Sequence, residues 1–102
     1  MHPSIESHRT ELAGLCRRYH VKRLELFGSA TRADFDPRTS DLDFLVDFGF
    51  CTPGEHYDRY FGLLEDLRGV FGRKVDLVEE KAVRNPFFLR RMNESRTPLY
   101  AA

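Results

Sequence analysis

Apolar residues recur along the chain in two rhythms, one of three to four residues and one of two, and their succession sets out the expected elements. From Ser4 to about Tyr19, the residues Ile5, Leu12, Leu15, Cys16 and Tyr19 fall on one helical stripe. The spacing predicts an amphipathic helix with Ser4 as its cap and Glu6 favourable in the first turn. Val21 to Phe27 is β-compatible, with Leu24 and Leu26 on one face, and the Gly28-Ser29 pair ends it. A stretch from Ala30 suits a helical turn, and Ala33 to Ser40 carries the Pro and small polar residues of a loop. Over Asp41 to Phe48, the set Leu42, Phe44, Val46 and Phe48 alternates with Asp41, Asp43, Leu45 and Asp47. That period of two belongs to a strand with one core face and a second face that begins with two carboxylates. Asp47, further along that face, reads as exposed.

Thr52-Pro53-Gly54-Glu55 has a capping-box pattern with Pro at the first helical position, and Tyr57, Tyr60, Phe61, Leu64, Leu67 and Phe71 follow at helical spacing up to Gly72. Gly62 and Gly69 lie inside this helix and each weaken it by about 1 kcal/mol against Ala. The aromatic stripe reads as core rather than as a base-stacking platform. Lys74 to Val78 is a short apolar run broken by Asp76, consistent with a third strand. Asn85-Pro86 opens a last helix carrying Phe87, Phe88, Leu89 and Met92, and Thr97 to Tyr100 is a brief terminal segment. Helix, strand, strand, helix, strand, helix describes an α/β layer structure with one small sheet.

With 102 residues, one compact domain over residues 1–102 is expected, so a separate acceptor-binding domain would come from elsewhere. Sixteen basic residues balance sixteen acidic ones, which removes any general attraction for nucleic acid or an anionic membrane. The pairs Arg17-Arg18 and Arg90-Arg91 read as solvated helix faces with no role in the chemistry. Cys16 and Cys51 lack CxxC spacing, and His2, His8, His20 and His56 lack any ligand-like pairing. This makes a zinc site or a disulfide framework a poor reading. No apolar run reaches the roughly 20 residues that span a bilayer, and no leader pattern opens the chain, so a cytoplasmic location is expected.

The chemistry concentrates between positions 28 and 43. A Gly-Ser turn after a strand lets backbone N–H groups approach an anion, and a following helical turn adds its dipole, which suits a polyphosphate. Asp41 and Asp43, two apart on a strand, leave one face with Cα atoms about 6.5 to 7 Å apart. Carboxylates so placed converge on cations, and Mg²⁺ favours one or two carboxylates together with substrate phosphates. Asp76, among Val75, Leu77 and Val78, is the natural third ligand. Alone, a Gly-Ser pair is usually just a turn and an Asp-x-Asp pair a solvent-facing edge. Their order is the specific signal: a strand, Gly28-Ser29, eleven residues, Asp41-Leu42-Asp43, then an isolated Asp in a later strand.

On Gly28, Ser29, Asp41, Asp43 and Asp76 the chain resembles the DNA polymerase β-like nucleotidyltransferase superfamily. Its GSATR turn, its SDLD strand entry and its KVDLV strand look most like the minimal nucleotidyltransferase branch. The resemblance implies a polymerase β-like palm, a small mixed β-sheet flanked by helices. It implies transfer of a nucleoside monophosphate, AMP from ATP or another NTP, to an acceptor hydroxyl with release of pyrophosphate. Asp41, Asp43 and Asp76 would be the catalytic and metal residues for two Mg²⁺ ions about 3.5 to 4 Å apart. Asp76 would also accept the acceptor's proton. Gly28 and Ser29 would hold the terminal phosphates, with Arg32 placed to reach a phosphate oxygen. Arg32 has a second reading, a surface pairing with Asp34 or Asp36. Ser40 either caps the strand entry or touches a phosphate.

The resemblance also implies a partner. Minimal nucleotidyltransferases stand beside HEPN-domain toxins as antitoxins, modifying a hydroxyl, expected here to be a tyrosine. The neutral net charge agrees with a protein acceptor, since a polymerase-like acceptor favours a basic groove. This argues against nucleic acid as the direct acceptor and allows a homo- or hetero-oligomer. The alternative is a non-catalytic antitoxin that acts by occlusion. An intact set of carboxylates argues against it, because close aspartates repel one another unless a cation binds. A small-molecule acceptor of the aminoglycoside type would need a pocket that this length does not supply.

Overall fold

The computed structural model describes residues 2–32, 35–36 and 38–102. Of the expected loop, positions Ala33, Asp34 and Pro37 lie outside the described residues, and so does the suggested Arg32–Asp34 pairing. The elements are α1 (Pro3–Glu6), α2 (Arg9–Arg18), β1 (Arg23–Phe27), a 3-10 turn (Gly28–Thr31), β2 (Leu42–Asp47), α3 (Pro53–Phe71), β3 (Val75–Glu79), a second 3-10 turn (Glu80–Ala82), α4 (Pro86–Ser95) and β4 (Thr97–Ala101). No helix among the described residues is long and apolar enough to cross a membrane.

The sheet runs β3-β2-β1-β4 and is mixed, as expected: β1 pairs antiparallel with β2 and β4, and β2 pairs parallel with β3 across the α3 connection. The alternation read from β2 is realised. Leu42, Phe44 and Val46 are buried with Leu24, Leu26, Val75 and Leu77 under α2 and α3, joined by Leu12, Cys16, Leu63 and Leu67. On the opposite face α4 lays Met92 over Phe27 and Leu45. The sheet is thus a middle layer whose second face is half apolar and half ionic.

Five expectations change. The single helix from Ser4 is two, α1 and α2, broken at Ser7 and His8. Pro3 takes the first helical position, which moves the cap back to His2, whose ring Nδ1 accepts the Ser4 N–H at 3.1 Å. His8 then leaves helical geometry at φ −102°, ψ 10° and sets its ring edge-on to Phe71, with 5.1 Å between centroids. The turn after β1 starts at Gly28 rather than Ala30. The terminal segment is a fourth strand, because β1 has a free edge for it to pair with.

The aromatic stripe of α3 is only partly core. Its capping box is present and Gly72 ends it at φ 61°, but the buried positions are Leu63 and Leu67, while Tyr57 and Phe61 are 63% and 50% exposed. Asp47 is the fifth correction. Its side chain is 12% exposed, because the neighbouring strand sets Arg23 beside it at 3.1 Å and the Gly49 N–H donates to it at 2.8 Å. Cys16 is buried in the core and Cys51 is half-buried, and burial pushes the Cys16 thiol up to about 12.

Candidate active site

The antiparallel turn from β1 to β2 and the parallel return to β3 bring the end of β1 and the starts of β2 and β3 to one end of the sheet. The register sets Phe27 opposite Asp43, and Asp43 opposite Asp76. Both aspartates alternate with core residues of their strands, so both carboxylates emerge on the α4 side, in line with Leu45 and Val78. They are close enough to share a hydrogen bond.

Two carboxylates cannot share that space as anions without cost. Asp43 is pushed up from 3.8 to about 6, first by burial, then by its hydrogen bond to Asp76 and the negative charges of Asp76 and Asp41. Lys74 works in the other direction. The pair therefore favours sharing a proton below about pH 6, and above it a cation would relieve the repulsion.

Asp41 stands at the rim. It precedes the first residue of β2 and is exposed, with its Oδ2 3.7 Å from the Lys74 Nζ. The structure thus joins Asp43 and Asp76 and leaves Asp41 beside them. Among the described residues no three His, Cys, Asp or Glu side chains close into a ready metal cage. Two hard, facing carboxylates nevertheless fit Mg²⁺, which keeps most of its sphere for water and substrate phosphate.

Gly28 sits over the pair. Its φ is 75°, and a Cβ built on it would stand 2.6 Å from Oδ2 of Asp43. Glycine is therefore required both for the turn and for the approach of backbone to carboxylate. The Thr31 hydroxyl closes the turn by donating to the Gly28 carbonyl at 2.8 Å. Ser29 lies within the turn, and Arg32 follows it, exposed. Ser40 closes the loop before β2: its Oγ accepts the Asp36 N–H at 3.1 Å and its own N–H donates to the Asp36 carbonyl at 2.9 Å. A cleft of about 450 Å³ opens over the carboxylates, with Phe27, Tyr60, Arg68 and Phe88 along its walls.

Sequence reasoning missed the support beneath this site. The Gly28 N–H does not point into open space but donates to Oγ of Ser95, at the end of α4, at 2.9 Å. The next residue, Arg96, donates to both oxygens of Glu25 at 2.9 and 2.7 Å and to Glu80 at 2.9 and 3.2 Å. The guanidinium holds the Glu25 and Glu80 carboxyls below the usual range, and they raise its own basicity in return. This triad pins the α4–β4 junction to β1. Glu25 carried a usable signal, a carboxylate placed between Leu24 and Leu26 in a strand, which demands a counter-charge once both faces are covered. Ser95 carried none.

The model of the Nucleotidyltransferase domain family matches residues 9–100. A candidate protein adenylyltransferase of Methanocaldococcus jannaschii is 38% identical over 80 residues, spanning 78% of this chain and 78% of its own. The solved structure of a candidate minimal nucleotidyltransferase aligns with a TM-score of 0.72 at 29% identity, over 92% of this chain and 91% of that one. A chain from the solved complex of the tri-AMPylated Shewanella oneidensis HEPN toxin with its MNT antitoxin aligns with a TM-score of 0.62 at 16% identity. It covers 95% of this chain and 72% of that one, a likeness of fold.

Proposed function

The chain belongs to the nucleotidyltransferase domain family and is a nucleotidyltransferase, and from that premise we propose that it moves AMP from ATP to a hydroxyl of a partner protein. The partner is a HEPN-domain toxin, the hydroxyl a tyrosine's, and the modification neutralises the toxin. The observation that carries this reading is the Asp43–Asp76 pair, set side by side by strand register beneath a glycine turn. Support for a protein acceptor comes from the relative named as a candidate protein adenylyltransferase, and support for the HEPN partner from the fold shared with the MNT–HEPN complex.

In the reaction the acceptor oxygen attacks the α-phosphorus, the bond from that phosphorus to the bridging oxygen breaks, and pyrophosphate leaves. Asp43 and Asp76 are the residues that would hold Mg²⁺, with Asp41 at the rim as a further ligand. The chemistry a Mg²⁺ ion held there would supply is neutralisation of the carboxylate pair and the polyphosphate and a lower pKa for the acceptor hydroxyl. A carboxylate oxygen of Asp76 takes the hydroxyl proton. Ser29 and the turn around it orient the phosphate tail, and Arg32 sets a positive charge where negative charge gathers on the leaving group. Ser40 acts at a distance, by fixing the loop that delivers Asp41.

The test is to incubate the protein with ATP, Mg²⁺ and a HEPN-domain protein from the same genome, and to measure intact masses. Gain of one or more AMP units by the partner is the expected result. No gain with any of the four NTPs would overturn the proposal. An Asp41→Ala, Asp43→Ala double variant that still neutralised the toxin fully would favour occlusion without turnover.

A further inference from the structure

The adjacent arginines 90 and 91 do not share an environment. Both are exposed on α4, but Arg91 lines a cleft of about 510 Å³ together with Thr31, Arg32, Glu94, Ser95 and Arg96. Its position four residues before Ser95 sets the two on one side of the helix. The other wall of this cleft is the end of the Gly28–Thr31 turn. Arg96 has its charge already matched by Glu25 and Glu80. The cleft therefore offers an incoming anion two guanidiniums, Arg32 and Arg91, against the single carboxylate of Glu94.

We propose that this cleft receives the outer phosphates of the nucleoside triphosphate and that Arg91 reads the terminal one, so that the site distinguishes triphosphate from diphosphate. The inference rests on the reading of Asp43 and Asp76 as the place of nucleotidyl transfer. The α-phosphate must then lie over those carboxylates, at the Gly28 end of the turn. A 3-10 turn advances about 2 Å per residue, so the path from Gly28 to Arg32 leads the chain of phosphates away from the carboxylates and into the cleft. A guanidinium presents a planar fork of donors that matches phosphate oxygens, and the flexible stem of an exposed arginine lets it close on the last of them. Ser95 ties this cleft to the glycine turn: its Oγ accepts the Gly28 N–H at 2.9 Å, and it lines the cleft together with Arg91.

The experiment measures, by titration calorimetry with Mg²⁺ present, the Kd of the full chain for ADP and for an ATP analogue with an imido bridge between its outer phosphates. Arg91→Gln is expected to weaken the triphosphate analogue about tenfold and to leave ADP within about twofold. Arg90→Gln, one residue away and about 100° round the helix, outside the lining of the cleft, is expected to change neither. Both residues are exposed, and circular dichroism establishes that each variant is folded. Equal losses for the two nucleotides in Arg91→Gln, or no loss in either, would overturn the assignment of Arg91 while leaving the proposed function intact. Failure of the native protein to bind either nucleotide would overturn both.

Discussion

Replacing Asp43 by Asn tests the electrostatics of the site without any substrate. In the folded protein the group titrates near 6, whereas the unfolded chain returns it to its ordinary 3.8. A raised pKa means that the fold prefers the protonated form. The stability it contributes is complete below the unfolded value, declines as pH rises through the folded value, and is absent above it. The two values differ by about two units, or about 3 kcal/mol over the whole range. Between about pH 5 and about pH 7.5 the linkage leaves roughly 1 kcal/mol once solvent around a half-covered carboxylate is allowed for. For a domain of this size that is a fall of about 4 to 8 °C in Tm. Asn keeps the shape of the protonated acid and donates to Asp76 without titrating. The metal-free native protein should therefore lose stability relative to the Asp43→Asn variant across that pH interval, with the variant the more stable of the two above pH 7. Thermal melts of both proteins in chelator at the two pH values measure this directly, and titrating groups away from the pair cancel in the difference. Added Mg²⁺ should raise the native Tm at the higher pH and the variant's far less. Parallel pH profiles for the two proteins would refute the claim that the Asp43–Asp76 pair is a frustrated anion site.

Other consequences follow from single contacts. Asp76→Asn should lower transfer about 10²- to 10⁴-fold with the fold retained, as read by pyrophosphate release and circular dichroism. Gly62 and Gly69 should separate: a Cβ at 62 meets the Tyr19 ring at 2.5 Å, and that ring is tied to Asp66 at 2.6 Å, whereas a Cβ at 69 meets nothing within 4 Å. In urea denaturation Gly69→Ala should gain about 1 kcal/mol and Gly62→Ala should lose about 1 to 2 kcal/mol. Arg96→Ala should cost about 2 kcal/mol at neutral pH by stranding buried Glu25. That difference should shrink as pH falls below 4.5, where Glu25 takes up its proton.

The strands that build the site were legible because their side chains must alternate between two different environments. Leu42, Phe44 and Val46 face the core, and Asp43 with Leu45 face α4. The same constraint makes the juxtaposition of Asp43 and Asp76 a matter of register, which no single strand reveals. β4 was not legible, since Pro98 and its weak alternation carry little strand signal, and its pairing depends on the free edge of β1. The break between α1 and α2 was hidden by a stripe that continues across it, Ile5 and Leu12 both being buried. Tyr57 and Phe61 misled in the opposite way: helical spacing fixes which residues share a side, but not how far the sheet beneath extends to cover them.

The second face of the sheet holds acids in two different electrostatic settings. Asp43 and Asp47 belong to the same strand and point the same way. At Asp47 burial works upward but is overcome by the Gly49 N–H, by Arg23 and by Lys81, and its pKa falls below the ordinary value. Glu25 is likewise satisfied by Arg96. At Asp43 burial meets no such answer: its nearest neighbours are a second carboxylate and a glycine turn, and the closest lysine lies against Asp41. The fold thus supplies counter-charges to its other half-buried acids on this face and withholds them from one pair. Among the described residues the Asp43–Asp76 pair has no matched counter-charge of this kind, which fits a cation brought in with a ligand. Two neighbouring carboxylates, a glycine turn and a cleft lined by the exposed Arg32 and Arg91 form an arrangement that a metal-bound triphosphate would suit.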